Sequence, residues 1–334
     1  MNDKKEEIFA INNENAFVEL ALAVFKWQAK NNDVYRRYIE TLKIDPSKVT
    51  QLNQIPFLPI GFFKEHKVEV GLGIGKANPV VFESSGTTGT VNSKHYVNDI
   101  ALYEESFKKG FEHFYGNVED YCILALLPSY LERDNSSLVY MTKELIKDSK
   151  HKMSGFYLRN HQDLLNTIKE LNGQKILLIG VTFALLDLLD FMHEKSNTSI
   201  NFDDVIILET GGMKGKRKEL IREELHEILC KGFHKKQIHS EYGMTELLSQ
   251  AYSQGNGIFN CPPWMKVITR DVNDPFALLA NNRTGGINVI DLANLNSCSF
   301  IATQDLGKVH NDGSFEVLGR FDNSDVRGCN LLVE

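Results

Sequence analysis

The sequence is short of cysteine, proline and tryptophan, with five, eight and two in 334 residues. No two of Cys122, Cys230, Cys261, Cys298 and Cys329 form a CxxC pair, and their number is odd. That excludes a disulfide framework and a zinc finger, and it suits a reducing cytosol. With 24 glycines beside the eight prolines, the chain is neither fibrous nor low-complexity. Positive charge is not in excess: 37 Lys and Arg face 44 Asp and Glu, a formal net charge of -7. That balance argues against a protein that lives on nucleic-acid phosphates. Long apolar runs are missing too. The most apolar stretch, Ile176 to Leu189, is interrupted by Gly180, Thr182 and Asp187. It falls short of the roughly 20 apolar residues of a membrane span. Met1 to Ile8 is charged, without the apolar core of a signal peptide. The expectation is a cytoplasmic protein with no membrane span. What is present, 42% hydrophobic and 24% charged residues, suffices to bury a core. At about 150 residues per domain, the length fits one large domain or two smaller ones.

Phe17, Leu20, Ala21, Val24 and Phe25 recur at helical spacing and predict an amphipathic helix. Pro56 and Pro59 predict an extended segment over Ile55 to Phe63. From Pro79 a rhythm begins. Val80–Glu83, Tyr121–Leu127, Lys175–Ile179 and Val205–Leu208 predict strands. Asp99–Tyr115, Ser137–Lys147, His161–Leu171, Phe183–His193 and Lys216–Leu229 predict helices. Strands alternating with helices imply parallel βαβ units with helices on both faces. After about Asn256 the rhythm changes. Met265–Thr269, Gly286–Ile290, Ser299–Thr303 and Ser314–Leu318, separated by Gly/Asn/Asp turns, predict antiparallel strands.

Three segments could carry chemistry. Ser84-Ser85-Gly86-Thr87-Thr88-Gly89-Thr90 follows a predicted strand, with Lys94 and His95 just beyond. Glycines that turn tightly, exposed N–H groups, hydroxyls and an ammonium suit a polyphosphate. No Lys-Ser/Thr follows the second glycine, so this is not a Walker A loop, and a flexible polar loop fits as well. His239-Ser240-Glu241-Tyr242-Gly243-Met244-Thr245-Glu246 would place a hydroxyl and a carboxylate before a predicted helix, Leu247 to Tyr252. Thr can donate to a phosphate and Glu can hold Mg²⁺, although a capped helix start explains the same residues. In Thr303-Gln304-Asp305-Leu306-Gly307, followed by Gly319-Arg320, the aspartate could accept from both hydroxyls of a ribose, and a common turn has the same residues. Gly71-Leu72-Gly73-Ile74-Gly75-Lys76 misses the dinucleotide spacing and reads as a hairpin.

Taken in order, these segments resemble the adenylate-forming superfamily of acyl-CoA synthetases, luciferases and adenylation domains. Ser84 to Gly89 resembles its phosphate loop and Lys94 the loop lysine. Glu209-Thr210-Gly211-Gly212-Met213 resembles the strand-end loop that packs on adenine. Tyr242 to Glu246 matches the tyrosine–glycine–x–threonine–glutamate motif, Asp305 the ribose-binding aspartate, and Arg320 the arginine before the hinge. Within the superfamily the chain is most similar to the LuxE-type acyl-protein synthetases. Leu126–Arg133, Ser136–Met141 and Val326–Leu332 carry that likeness.

The resemblance implies an α/β fold: mixed and parallel sheets flanked by helices, a small antiparallel β subdomain, and most of the C-terminal lid lacking. It places an AMP-binding domain at 1–320, with 257–320 as the antiparallel portion. A short tail at 321–334 carries Cys329. The cofactors implied are ATP and Mg²⁺, the metal at Glu246. Lys94, Thr245 and Glu246 would act on the phosphates. Ser84, Ser85, Gly86, Thr87, Thr88, Gly89, Gly211, Gly212, Tyr242, Gly243, Asp305 and Arg320 would bind the nucleotide. A carboxylic acid, on the family pattern a fatty acid, becomes acyl-AMP and then a thioester on Cys329. The partners implied are an acyl reductase, an acyltransferase or a carrier protein. Two alternatives stay open: a ligase charging coenzyme A or a separate carrier, and a non-catalytic nucleotide- or acyl-binding subunit.

Overall fold

The computed structural model describes residues 4–71, 79–84, 91–127, 135–195, 200–211, 217 and 220–320. The chain opens with three helices, α1 (Lys4–Phe9), α2 (Glu14–Asn31) and α3 (Asp33–Thr41). A two-residue strand β1 (Leu58–Pro59), a helical turn α4 (Phe62–Glu65) and a hairpin, β2 (Val80–Glu83) and β3 (Lys94–Val97), follow. A βα rhythm then runs through α5 (Ile100–Tyr115), β4 (Cys122–Leu126), α6 (Ser137–Ser149), β5 (Gly155–Phe156), α7 (His161–Glu170), β6 (Ile176–Val181), α8 (Thr182–Glu194), β7 (Val205–Thr210), α9 (Arg222–Gly232), β8 (His239–Tyr242) and β9 (Ala251–Ser253). The chain continues in strands: β10 (Ile258–Phe259), β11 (Met265–Arg270), β12 (Thr284–Asp291), β13 (Phe300–Val309) and β14 (Phe315–Arg320).

The first sheet has the order β5-β4-β6-β7-β8-β9, parallel up to β8 and antiparallel at β9. Strands β4 and β6 are buried at every residue, as a parallel sheet covered on both faces requires. Over residues 122–124 and 176–179 their side chains alternate between two cores. Ile123, Leu177 and Ile179 join one, which also takes Tyr103 and Phe107 of α5. Cys122, Leu124, Leu126 and Leu178 join the other, which also takes residues of α7, α8 and α9. A period of two thus puts helices on both faces, as expected.

The second sheet runs β10-β14-β13-β12-β11 and is antiparallel, with β1 added in parallel to β13. Gln28 of α2 clamps it. Its Nε2 donates to the carbonyls of Asn294 and Leu295, and its Oε1 accepts from the Ser299 N–H. Gly286 lets β12 pass the guanidinium of Arg270, since a Cβ there would fall 2.8 Å from its Cζ. That guanidinium, buried, donates to Ile287 O, Asn288 Oδ1 and Thr303 O.

Local expectations differ from the structure in three places. Leu247 to Tyr252 is not a helix: 243–250 is irregular chain leading into β9. Asp291 accounts for this by accepting from the N–H groups of Leu248 and Ser249 and from the Ser249 hydroxyl. Helix α9 begins at Arg222, later than the predicted Lys216. The segment Ile55 to Phe63 is extended at β1 but enters α4 at Phe62, because both prolines precede that turn.

Candidate active site

Strands β7 and β8 are parallel neighbours, so their C-terminal ends lie side by side. Ligands of open α/β sheets bind in that crevice. Gly211 follows β7 directly, with φ +75°, a left-handed conformation that favours glycine. Its carbonyl accepts from the Thr182 hydroxyl at 3.1 Å, and the same hydroxyl donates to buried Glu209. The Tyr242–Glu246 segment follows β8.

The second sheet brings Asp305 and Arg320 to the same place. The two face each other in the β13–β14 register. The Tyr242 hydroxyl donates to Asp305 Oδ2 at 2.8 Å, while Arg320 Nε lies 3.5 Å from Oδ1. The Tyr242 ring packs edge-on against Phe259 and Phe315, which fixes the hydroxyl. Burial pushes the Asp305 carboxyl up, against the Tyr242 hydrogen bond and the positive charges of Arg320 and Arg270. One carboxylate thus meets a hydroxyl donor from β8 and a cation from β14, with its side chain 14% exposed.

Glu246 is 5% exposed. Burial raises its carboxyl, while the Ser93 hydroxyl and the charge of Arg320 pull it down and Asp305 pushes it up. Its backbone carbonyl accepts from Asn294 Nδ2 at 2.7 Å. The preceding carbonyl, of Thr245, accepts from His95 Nδ1 at 2.8 Å. Burial lowers His95 to about 4, so the ring is neutral and Nδ1 carries the proton. His95 therefore ties β3 to the Tyr242–Glu246 segment.

The hairpin closes the polar loop at its base. The Ser84 N–H donates to Ser93 O at 3.0 Å, and the Ser93 N–H donates to Ser84 Oγ at 2.9 Å. Lys94 pairs across the hairpin with Glu83 at 3.5 Å, and the described contacts do not bring it to Glu246. Ser85, Gly86, Thr87, Thr88 and Gly89 of that loop, Gly212, most of Gly71–Lys76, and Cys329 lie outside the described residues. Ser93, Asn294 and the anchoring role of His95 were not legible in sequence. His95 sits beside the Ser/Gly/Thr run, but only the fold brings Asn294 there.

Among the described residues no cluster of three or more His, Cys, Asp or Glu could hold a metal. Mg²⁺ commonly rests on one or two carboxylates together with phosphates and water, and the buried Glu246 carboxylate fits that use. The four described cysteines are free. Burial pushes Cys122 up to about 11 and both Cys261 and Cys298 up to about 12, and it also raises Cys230. None of these is primed as a thiolate. Among the described residues no helix is long and apolar enough to cross a membrane.

The family model described as acyl-protein synthetase, LuxE, matches residues 3–334. No curated protein matches the chain by sequence. Among solved structures, an open conformation of 2-hydroxyisobutyryl-CoA ligase with 2-HIB-AMP and CoA aligns at TM-score 0.66 and 12% identity, over 92% of this chain and 70% of that one. ATP-bound MatB from Rhodopseudomonas palustris aligns at TM-score 0.51 and 16% identity, over 72% of this chain and 47% of that one. The chain thus spans about half the length of MatB. At these identities the likeness shows the adenylate-forming fold.

Proposed function

Because the chain belongs to the LuxE acyl-protein synthetase family, we propose that it activates a carboxylic acid with ATP and passes the acyl group to a thiol. The observation that carries this reading is the seating of Asp305 between Tyr242 and Arg320, next to Glu246, at the C-terminal ends of β7 and β8. An acceptor carboxylate there suits the two ribose hydroxyls.

In the first step an oxygen of the acid attacks the α-phosphorus of ATP, the bond to the β-phosphate oxygen breaks, and pyrophosphate leaves. When bound, Mg²⁺ at Glu246 supplies positive charge that offsets the phosphate charge. Asp305, Tyr242, Gly211 and Gly212 orient the nucleoside. Thr245, Lys94 and the Ser84–Gly89 loop donate to the phosphates, with Gly243 permitting close approach of the backbone. In the second step a thiolate attacks the acyl carbon of acyl-AMP, and AMP leaves with the pair of electrons of the broken C–O bond.

The thiol we assign is Cys329. The upward shift of all four described thiols supports this, since it disfavours the thiolate. A fatty acid is the substrate the family points to, and an acyl reductase, an acyltransferase or a carrier protein would take the product onward. The free cysteines suit a cytoplasmic setting. The test is ATP–pyrophosphate exchange over a panel of acids. Acid-dependent exchange is expected; its absence with every acid would sink the activation reading and leave a binding subunit. Label on added coenzyme A rather than on the protein would replace the Cys329 step with a small-molecule acceptor.

A further inference from the structure

Strand β13 carries Asp305, and its pairing breaks just there. Gly286 of β12 pairs with Leu306, but Asn288 pairs with Ala302, so Thr303, Gln304 and Asp305 all stand against Ile287. On the other side Leu306 pairs with Gly319 and Gly307 with Val317, a second shift directly after Leu306. Bulges of this kind bend a strand, re-aim its side chains and cluster beside active sites. They also interrupt the ladder, and a buried carbonyl left without a donor is costly. Here one side chain meets that need. Arg270, the last residue of β11, runs over Gly286 and donates from Nη1 to Ile287 O and Asn288 Oδ1, both at 2.7 Å, and from Nη2 to Thr303 O at 2.6 Å. Its fork thus spans the break from β12 to β13. The Thr303 hydroxyl continues the link: it donates to Ile287 O at 2.9 Å and accepts from the Asp305 N–H at 3.1 Å.

Arg270 is 6% exposed, and a guanidinium is costly to take out of water. The carbonyls alone call for donors, not for charge. Burial raises the Asp305 carboxyl, and Arg270 is among the positive charges that pull it back down. Resting on the activation reading above, we propose that Arg270 is a positioning residue of the nucleotide site: it fixes the β12–β13 break in the shape that turns Asp305 to Tyr242, Arg320 and the ribose. The role needs no contact with substrate. A planar, two-pronged guanidinium reaches carbonyls on two strands at once, which the single ammonium of a lysine does not. Gly286 belongs to the same arrangement, since a Cβ there would fall 2.8 Å from the guanidinium carbon.

The test is acid-dependent pyrophosphate exchange with ATP and with 2′,3′-dideoxy-ATP, which lacks both ribose hydroxyls. Wild type is expected to prefer ATP by about 100-fold or more in kcat/KM. Arg270→Met should bring that ratio down by about tenfold or more, chiefly through a higher KM for ATP with kcat changed much less. Arg270→Lys, which keeps the charge and loses the fork, should fall with it. In an Asp305→Ala background, Arg270→Met should lower the ratio no further. A purely structural arginine behaves otherwise: its loss lowers the melting temperature and the use of both nucleotides alike, and the ratio stays. Thr303→Val cuts the next link and covers the case in which neither arginine variant folds; it should lower the ratio about threefold or more. A wild-type ratio in folded Arg270→Met or Arg270→Lys, or in Thr303→Val where neither arginine variant folds, overturns the inference and leaves activation intact. Equal use of the two nucleotides by wild type does the same. No exchange with any acid overturns the activation reading and the inference together.

Discussion

Asp305 meets a hydroxyl donor and a cation on two different strands, so its neighbours can be removed one at a time. Tyr242→Phe deletes the 2.8 Å hydroxyl bond but keeps the ring packing on Phe259 and Phe315. The loss should be about 1 kcal/mol in ATP binding, a several-fold rise in the KM for ATP with kcat little changed. Asp305→Ala should raise that KM further; an unchanged KM would remove Asp305 from the nucleotide site. Glu246→Gln removes a charge from a buried position. If Glu246 stabilises the phosphate chemistry through Mg²⁺, exchange should fall by about 10² or more, with the fold intact on thermal melting. Exchange within threefold of wild type would exclude that role. Glu241 gives a pH prediction. Burial pushes its carboxyl up to about 7 from an ordinary value of 4.5, so the native state holds the proton more tightly than the unfolded chain. Its contribution is present below about pH 4.5 and is lost as pH rises toward 7. Relative to wild type, Glu241→Gln should therefore gain stability across that window, by at most about 3 kcal/mol and less for its partial exposure. A melting-temperature gap that stays flat from pH 4.5 to 7.5 would contradict the assigned burial.

The elements themselves were mostly legible, because period-two and period-3.6 patterns report burial and burial decides them. The buried runs Cys122–Leu126 and Ile176–Val181 announce a covered parallel sheet, and the turn-punctuated strands after Asn256 announce an antiparallel one. What failed was 247–252, where apolar residues look helical but distant side chains take the backbone bonds. Asp291 and Asn294, more than 40 residues away, hold that segment open. No local pattern reports such a contact. The candidate site divides the same way: Tyr242, Glu246, Asp305 and Arg320 stand out in the sequence as a motif set, whereas Ser93 and Asn294 come beside them only through the fold. The Asp291 bonds also make a prediction at this scale. Its carboxylate accepts from three backbone N–H groups, of Leu248, Ser249 and Ala293, and from the Ser249 hydroxyl. Asp291→Ala should leave those donors buried and unpaired, costing about 3 kcal/mol in urea unfolding, and exchange should fall because the segment carries Glu246. A loss below about 0.5 kcal/mol would mean that the loop is held by its packing alone.

At the scale of the whole molecule, activation and transfer call for different parts. The two sheets carry Tyr242, Asp305 and Arg320, the residues proposed to hold the nucleotide, on regular strands, as a reaction that depends on alignment needs. The transfer step needs a thiol that can ionise and can reach the acyl-adenylate. Three of the described cysteines are poor candidates: Cys122 is pushed up to about 11 and both Cys261 and Cys298 to about 12, so at neutral pH less than about one molecule in 10³ carries a thiolate at any of these, and burial raises Cys230 as well. An unperturbed cysteine, near pH 8.5, is a few per cent ionised at neutral pH, a gain of more than tenfold in reactive form. Cys329, preceded by Gly328, is the candidate we assign. Cys329→Ser should keep acid-dependent pyrophosphate exchange, because that half-reaction uses none of its atoms. It should lose the acyl mass increment in intact mass spectrometry after incubation with ATP, Mg²⁺ and acid, together with the hydroxylamine-labile label. Full labelling of Cys329→Ser would place the acyl group elsewhere. In that case Cys230, partly exposed and the least buried of the other four thiols, is the next to substitute.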